Sequence, residues 1–131
     1  MSEENVGIVR RMYDAFGGGD ADAALAYFDP DVVIDASHRV DGRIGRGREE
    51  LVAILGEWIE TWDEWREEVE AIRAAGDRVL VISTQRGRGK GSGVEWENRF
   101  AMLYELQGGR ISRWTVYDDL SDALEAAGLS E

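Results

Sequence analysis

The second half of the chain constrains the fold more than any other part of it. From 66 to 117, apolar and polar residues alternate in four segments. Breaks containing glycine separate them, at Ala75-Gly76-Asp77, Gly87 to Gly93 and Gly108-Gly109. A period of two marks strands that lay one face on a core. Short glycine turns join antiparallel neighbours, because a parallel crossover takes a dozen residues or more. The spacing therefore predicts strands over 66–73, 79–86, 94–106 and 111–117, paired as an antiparallel meander. On the third, Trp96, Asn98, Phe100, Met102, Tyr104 and Leu106 share the inward face. On the fourth, Trp114 and Val116 share a face with Asp118, and Arg113, Thr115 and Tyr117 take the other.

The first half has helical periodicity instead. Val6, Val9, Tyr13 and Phe16 form one stripe, with Ser2 as N-cap and Gly17-Gly18-Gly19 as the stop. Asp20 reads as the N-cap of a second helix over 21–28, and Asp29-Pro30-Asp31 as a turn. Val32-Val33-Ile34-Asp35-Ala36 reads as a short strand. An irregular crossover with Gly42, Gly45 and Gly47 follows, holding a short paired segment at Val40 or Ile44. Glu49 and Glu50 suit the start of a third helix, continued by Leu51, Ile54, Leu55, Trp58, Ile59 and Trp62. A last helix runs from Asp119 to Ala127, with Gly128 as its C-cap. This order gives an α+β fold: a single domain over 1–131 with helices segregated to one face of a curved antiparallel sheet.

Composition narrows the function. With 131 residues and 44% hydrophobic content the chain can bury a core, and with no cysteine it has no disulfide or thiolate chemistry. The polar N-terminus shows no secretory core, and no apolar run reaches membrane-spanning length, so a cytoplasmic protein without membrane contact is expected. The net charge of −12 repels phosphate and argues against nucleic acid as a partner. The seven acids between Glu57 and Glu70 read as a solvated face. Four arginines between Arg39 and Arg48 could draw an anion.

Several residues are candidates for chemistry. Asp118 shares the parity of Trp114 and Val116, which carries it inward as a general base; alternatively it or Asp119 caps the last helix. Asp35 lies opposite Ile34, so it faces outward or lines a rim. His38, the sole histidine, shares the parity of Ile34, which aims it at a cavity mouth unless its arginine-rich loop exposes it. Without a second histidine or spaced carboxylates, no metal site is expected. Asn98 is the polar interruption of an aromatic face and suits a ligand carbonyl or hydroxyl. Trp58, Trp62 and Trp65, four and three apart, read as helix-to-sheet packing or as an aromatic lid. The Gly87 to Gly93 loop leads into a strand rather than a helix, so it is no phosphate cradle.

Together these residues resemble the SnoaL-like and ketosteroid-isomerase-like members of the nuclear transport factor 2-like superfamily, over nearly the whole chain. The resemblance rests on Tyr13-Asp14-Ala15-Phe16, Gly19-Asp20, Asp29-Pro30-Asp31-Val32, Gly76-Asp77-Arg78-Val79-Leu80, Gly109-Arg110-Ile111 and the Tyr117-Asp118 ending. It implies a cone-shaped sheet around a hydrophobic pocket closed by helices, and a homodimer through the outer sheet face. It also implies a cofactor-independent protein that binds a hydrophobic small molecule and catalyses cyclisation, isomerisation or hydration through an aspartate base. The alternative is a non-catalytic ligand-binding or dimerisation module. Asp35 falls where ketosteroid isomerases carry their base, although Ala36 follows it where they have proline. Their oxyanion tyrosine aligns with Met12, one residue from Tyr13. Asp118 resembles the base of SnoaL-like cyclases. Trp62, Trp96, Phe100, Trp114, Tyr13 and Trp58 would hold the apolar body of the ligand.

Overall fold

The structure is a computed structural model that describes residues 2–38 and 42–129. The cap expected from the Ser2 side chain, pairing at Val40, and the Arg39 and Asp41 charges fall outside what it describes. The element order is α1 Ser2–Gly17, α2 Ala21–Leu25, β1 Phe28–Asp35, β2 Ile44–Arg46, α3 Arg48–Glu60, β3 Trp62–Ala75, β4 Arg78–Gly89, β5 Glu95–Gln107, β6 Arg110–Tyr117 and α4 Leu120–Ala127. The strands form one curved sheet in the order β2-β1-β6-β5-β4-β3. The meander from β3 to β6 is antiparallel, as the alternation predicts. One pairing departs from the expected antiparallel sheet: β1 lies parallel to β6, with Ile34 beside Trp114. The connection between them is everything from β2 to β5, so no local turn announces it.

Two layers of apolar contact follow from strand parity. Phe100, Met102, Tyr104, Trp114, Val116 and Ile34 share the concave face with Val9 and Met12 of α1 and Leu51 and Ile54 of α3. On the convex face, Leu80, Ala101 and Leu103 pack under Ala123, Leu124 and Ala127 of α4. Helix α4 is fixed at both ends. Asp119 accepts from the backbone of Ser121 at 2.8 Å and Asp122 at 3.3 Å, and Gly128 takes the left-handed conformation at φ 72°. The sequence leaves that cap to Asp118 or Asp119, and it is Asp119.

Helix α2 is shorter than expected, because Phe28 is already the first residue of β1. The third helix also stops early, at Glu60, and Trp62 opens β3. Strand β3 has two register shifts against β4, at Asp63/Arg66 and Val69/Ala71. In a regular strand, residues three apart face opposite ways. The first bulge, with Glu64 at φ 55°, lets Trp62 and Trp65 both turn inward. Two aromatics three apart on a bulged strand thus imitate the periodicity of a helix. Gly87 of β4 makes room for this turn, since a Cβ there would lie 2.8 Å from Trp62 Cβ.

Candidate functional site

Helices α1, α2 and α3 do not close fully on the concave face. Between them lies a cavity of about 300 Å³. Its helical walls include Met12, Tyr13 and Phe16 of α1, Leu25 of α2, and Leu51 and Leu55 of α3. Phe28, Trp65, Tyr104 and Trp114 supply much of the sheet side. Polar groups in this largely apolar wall include those of Tyr13, Tyr104, Glu67 and Gln85, with the exposed Asp22 of α2.

Tyr13 and Tyr104 face each other from α1 and β5, with hydroxyl oxygens 2.6 Å apart. Their rings meet edge to face at 6.1 Å. Tyr13 also reaches Met102 Sδ at 3.6 Å, a weak acceptor. Burial pushes both hydroxyls well above the ordinary tyrosine value, and the nearby Glu67 carboxylate adds to this. Both phenols therefore stay protonated. When Tyr13 donates to Tyr104, the Tyr104 proton is left to serve another acceptor.

Glu67 projects from β3 between the two bulges, on the inward side with Trp65 and Val69. Its Oε2 accepts from Ser83 Oγ at 2.8 Å and from Gln85 Nε2 at 3.3 Å. Burial raises its pKa above 4.5, and these two bonds offset only part of that rise. Its Oε1 has no hydrogen bond among the described residues. Gln85 is itself held, for its Oε1 accepts from Trp58 Nε1 at 2.7 Å and Trp65 Nε1 at 3.1 Å. Trp114 is stacked on Tyr104 at 5.8 Å, and its buried Nε1 has no partner among the described residues.

The residues singled out from the sequence are divided by this geometry. Tyr13 and Trp114 line the cavity. Trp58 and Phe100 border a smaller space of about 30 Å³ beside it, which also touches Gln85 and Trp114. Trp58, Trp62, Trp96 and Phe100 pack as one aromatic cluster, with Trp62 and Trp96 stacked at 4.3 Å. Asn98 is half-buried opposite Gln85 on the next strand and is not among the lining residues.

Asp118 is exposed, contrary to the inward orientation expected from parity. Strand β6 ends at Tyr117, and the bend after it breaks the alternation that Trp114 and Val116 obey. Asp35 faces away from Ile34, as parity requires, but is buried on the convex side. There it accepts from Ser37 and from Arg113 Nη2 at 2.7 Å. Burial would raise its pKa, but the Ser37 bonds and the Arg113 charge outweigh this and hold it below 3.8. His38 is exposed and stacks on Tyr117 at 4.5 Å, also on the convex side.

The sequence reading missed Glu67, Gln85 and Tyr104 as site residues. Tyr104 was legible, since it continues the inward face of β5. Glu67 was hidden among seven acids taken as one solvated face, and the bulges remove the parity signal that would separate it from them. Among the described residues, no group of three or more His, Cys, Asp or Glu side chains could hold a metal ion. Nor is any described helix long and apolar enough to cross a membrane.

Comparison with known proteins agrees with this architecture. A nuclear transport factor 2-like protein of unknown function from Burkholderia pseudomallei is 24% identical, with a TM-score of 0.76, covering 95% of this chain and 97% of that one. A candidate polyketide cyclase from Xanthomonas campestris is 24% identical at a TM-score of 0.72, covering 96% and 98%. A protein with a ketosteroid-isomerase-like fold from Catenulispora acidiphila, solved with trimethylamine, is 23% identical at a TM-score of 0.71, covering 94% and 93%. No curated protein matches the sequence. The profile of the SnoaL-like domain matches residues 9–114, most of the chain, and the chain belongs to the SnoaL-like family, with the nuclear transport factor 2-like fold.

Proposed function

We propose that this protein binds a hydrophobic small molecule bearing a carbonyl or hydroxyl oxygen in the α1–α3 cavity and moves a proton on it, with Glu67 as the general base. The observation that carries this reading is a carboxyl group with one unclaimed oxygen, in the wall of a largely apolar cavity, beside a pair of protonated phenols. Burial raises the Glu67 pKa toward working pH, where a base both accepts and returns protons. Glu67 takes a proton from the carbon next to the substrate carbonyl. The electron pair moves onto the carbonyl oxygen, which accepts a hydrogen bond from Tyr104, itself supported by Tyr13. Return of the proton to another atom completes an isomerisation; attack of the enolate carbon on a second carbonyl, whose oxygen then takes the proton back from Glu67, completes a cyclisation. This chemistry draws on the chain's own side chains. It replaces the aspartates expected from the sequence with a glutamate on β3.

A structural neighbour described as a candidate polyketide cyclase makes a carbonyl compound a reasonable class of substrate to test. The test is exchange of the acidic C–H protons of β-tetralone in deuterated water, followed by NMR. Glu67→Gln is expected to slow protein-dependent exchange by about 100-fold or more. Tyr104→Phe is expected to slow it by about 10- to 100-fold. Undiminished exchange in Glu67→Gln would show that the base lies elsewhere. Binding of β-tetralone without exchange in the unaltered protein would support a non-catalytic binding module.

A further inference from the structure

The hydrogen bonds around Glu67 have a fixed polarity, and that polarity distinguishes its two oxygens. An indole N–H can only donate. Trp58 of α3 and Trp65 of β3 both point their N–H groups at one atom of Gln85, its Oε1. Were the amide turned over, two indole donors would meet an NH2 group, and each would lose its bond to Gln85. The amide is therefore locked with Nε2 toward Glu67, where it donates to Oε2. The Ser83 hydroxyl donates to the same oxygen, from a fully buried residue. The Ser83 hydroxyl could turn to accept, but the locked NH2 of Gln85 can only donate, so a carboxyl proton on Oε2 would be opposed by it. Oε1 has no such donor among the described residues.

We propose that Gln85, oriented by Trp58 and Trp65, is a positioning residue that reserves Oε2 of Glu67 as a permanent acceptor and makes Oε1 the oxygen that gains and loses the proton. The inference rests on the reading of Glu67 as the base for its catalytic meaning, but the proton's place can be tested without turnover. Its consequence is that Glu67 changes protonation without any rearrangement of its neighbours. Oε2 keeps both bonds in either state, so the site carries no reorganisation cost when the proton moves. The chain also spends a buried glutamine and two tryptophans, from three elements, on aiming a single carboxylate. Packing alone would not need that polarity.

Other groups that titrate or carry charge also line the two spaces that Glu67 borders. Tyr13 of α1, Tyr104 of β5 and Asp22 of α2 line the cavity. Arg10 and Asp14 of α1, with Arg66 of β3, line the groove on its other side. The phenols stay neutral across the range in which Glu67 titrates. The two aspartates are kept in place in every variant below, and their contribution is common to all.

The experiment is an NMR titration of the Glu67 side-chain carboxyl carbon in the full-length protein. Gln85→Met removes the donor to the carboxylate while keeping the bulk, and is expected to raise the Glu67 midpoint by roughly one pH unit. The double variant Trp58→Phe with Trp65→Phe releases the amide to rotate and is expected to move the midpoint the same way. In the unaltered protein, the Gln85 side-chain NH2 resonances are expected to follow the Glu67 midpoint. That measurement decides the matter even if the variants fail to fold. A midpoint unmoved by Gln85→Met, or Gln85 NH2 resonances insensitive to Glu67, would overturn the proposal. If instead Glu67→Gln retained β-tetralone exchange, the base assignment would fall while the fixed polarity stood.

Discussion

A single carboxylate, Glu67, concentrates the physics of this molecule. Its folded-state pKa is raised above 4.5, chiefly by burial, while in the unfolded chain it titrates at its ordinary value. Between those two values the folded state holds a proton that the unfolded state has released. The unfolded state binds fewer protons there, so stability falls as pH rises through that window. Glu67→Gln removes this dependence. Urea unfolding from pH 4 to 8 is therefore expected to show the variant losing less stability than the parent as pH rises. A difference of constant size across the range would contradict the raised pKa. Asp35 shows the opposite pattern, since Ser37 and Arg113 lower its pKa. Its contribution to stability is present at neutral pH and is lost as pH falls through its folded value. Two carboxylates on opposite faces of one sheet, Asp35 buried and Glu67 half-buried, thus have opposite electrostatics. Asp35 is stabilised as an anion by its partners, and Glu67 is held nearer to protonation.

At the scale of elements, β3 is where sequence and structure part. The inward parity of β5 and β6 was legible residue by residue, from Trp96 to Leu106 and through Trp114 and Val116. Strand β5 keeps a period of two through its buried part, and β6 keeps it from Trp114 onward; a register shift between them puts Ile111, three residues before Trp114, on the same core. Strand β3 does not keep the period, because two bulges reset its phase. Trp58, Trp62 and Trp65 therefore read as a helical stripe, and Glu67 as one acid among seven. The first bulge holds Glu64 at φ 55°, where a side chain is strained. Glu64→Gly is expected to stabilise the protein by up to about 1 kcal/mol in chemical denaturation, the exposed ion pair with Arg88 contributing little. A loss of stability would mean that the bulge is not strained. Helix α4 offers a second check. Asp119→Ala removes bonds to two backbone amides and is expected to cost about 1 kcal/mol, whereas Asp118→Ala is expected to change stability by under about 0.5 kcal/mol. Equal effects would contradict the assignment of the cap.

Across the whole molecule, the sheet has two faces with different tasks. The concave face carries the main core and the cavity; the convex face carries α4, the Asp35–Arg113 pair and a set of cross-strand ion pairs. Among these, Arg86 bridges Glu68 and Glu97, and Arg99 meets Glu70. The α+β class, the order of elements and the meander could be read from glycine turns and periodicity. The parallel joining of β1 to β6 could not, because it depends on contacts across most of the chain. The site was legible only in part for the same reason. Tyr13 and Trp114 sit on regular elements and were found, but the carboxylate between them depends on bulges and on a glutamine from another strand. The aspartates that drew attention, Asp118 and Asp35, lie outside the cavity for equally local reasons, a strand that ends one residue early and a side chain on the convex face.

The central claim is that the ligand occupies the cavity formed by Tyr104, Trp114 and Glu67. The five tryptophans give five indole N–H signals that report on distinct places. Titration with β-tetralone, followed through these signals by NMR, tests the claim most directly. The account predicts that Trp114 and Trp65, which line the cavity, shift on binding, and that Trp62 and Trp96, stacked on each other away from it, stay nearly unchanged. Shifts confined to Trp62 and Trp96, or confined to backbone signals of Asp35 and Asp118 on the other side of the sheet, would contradict it.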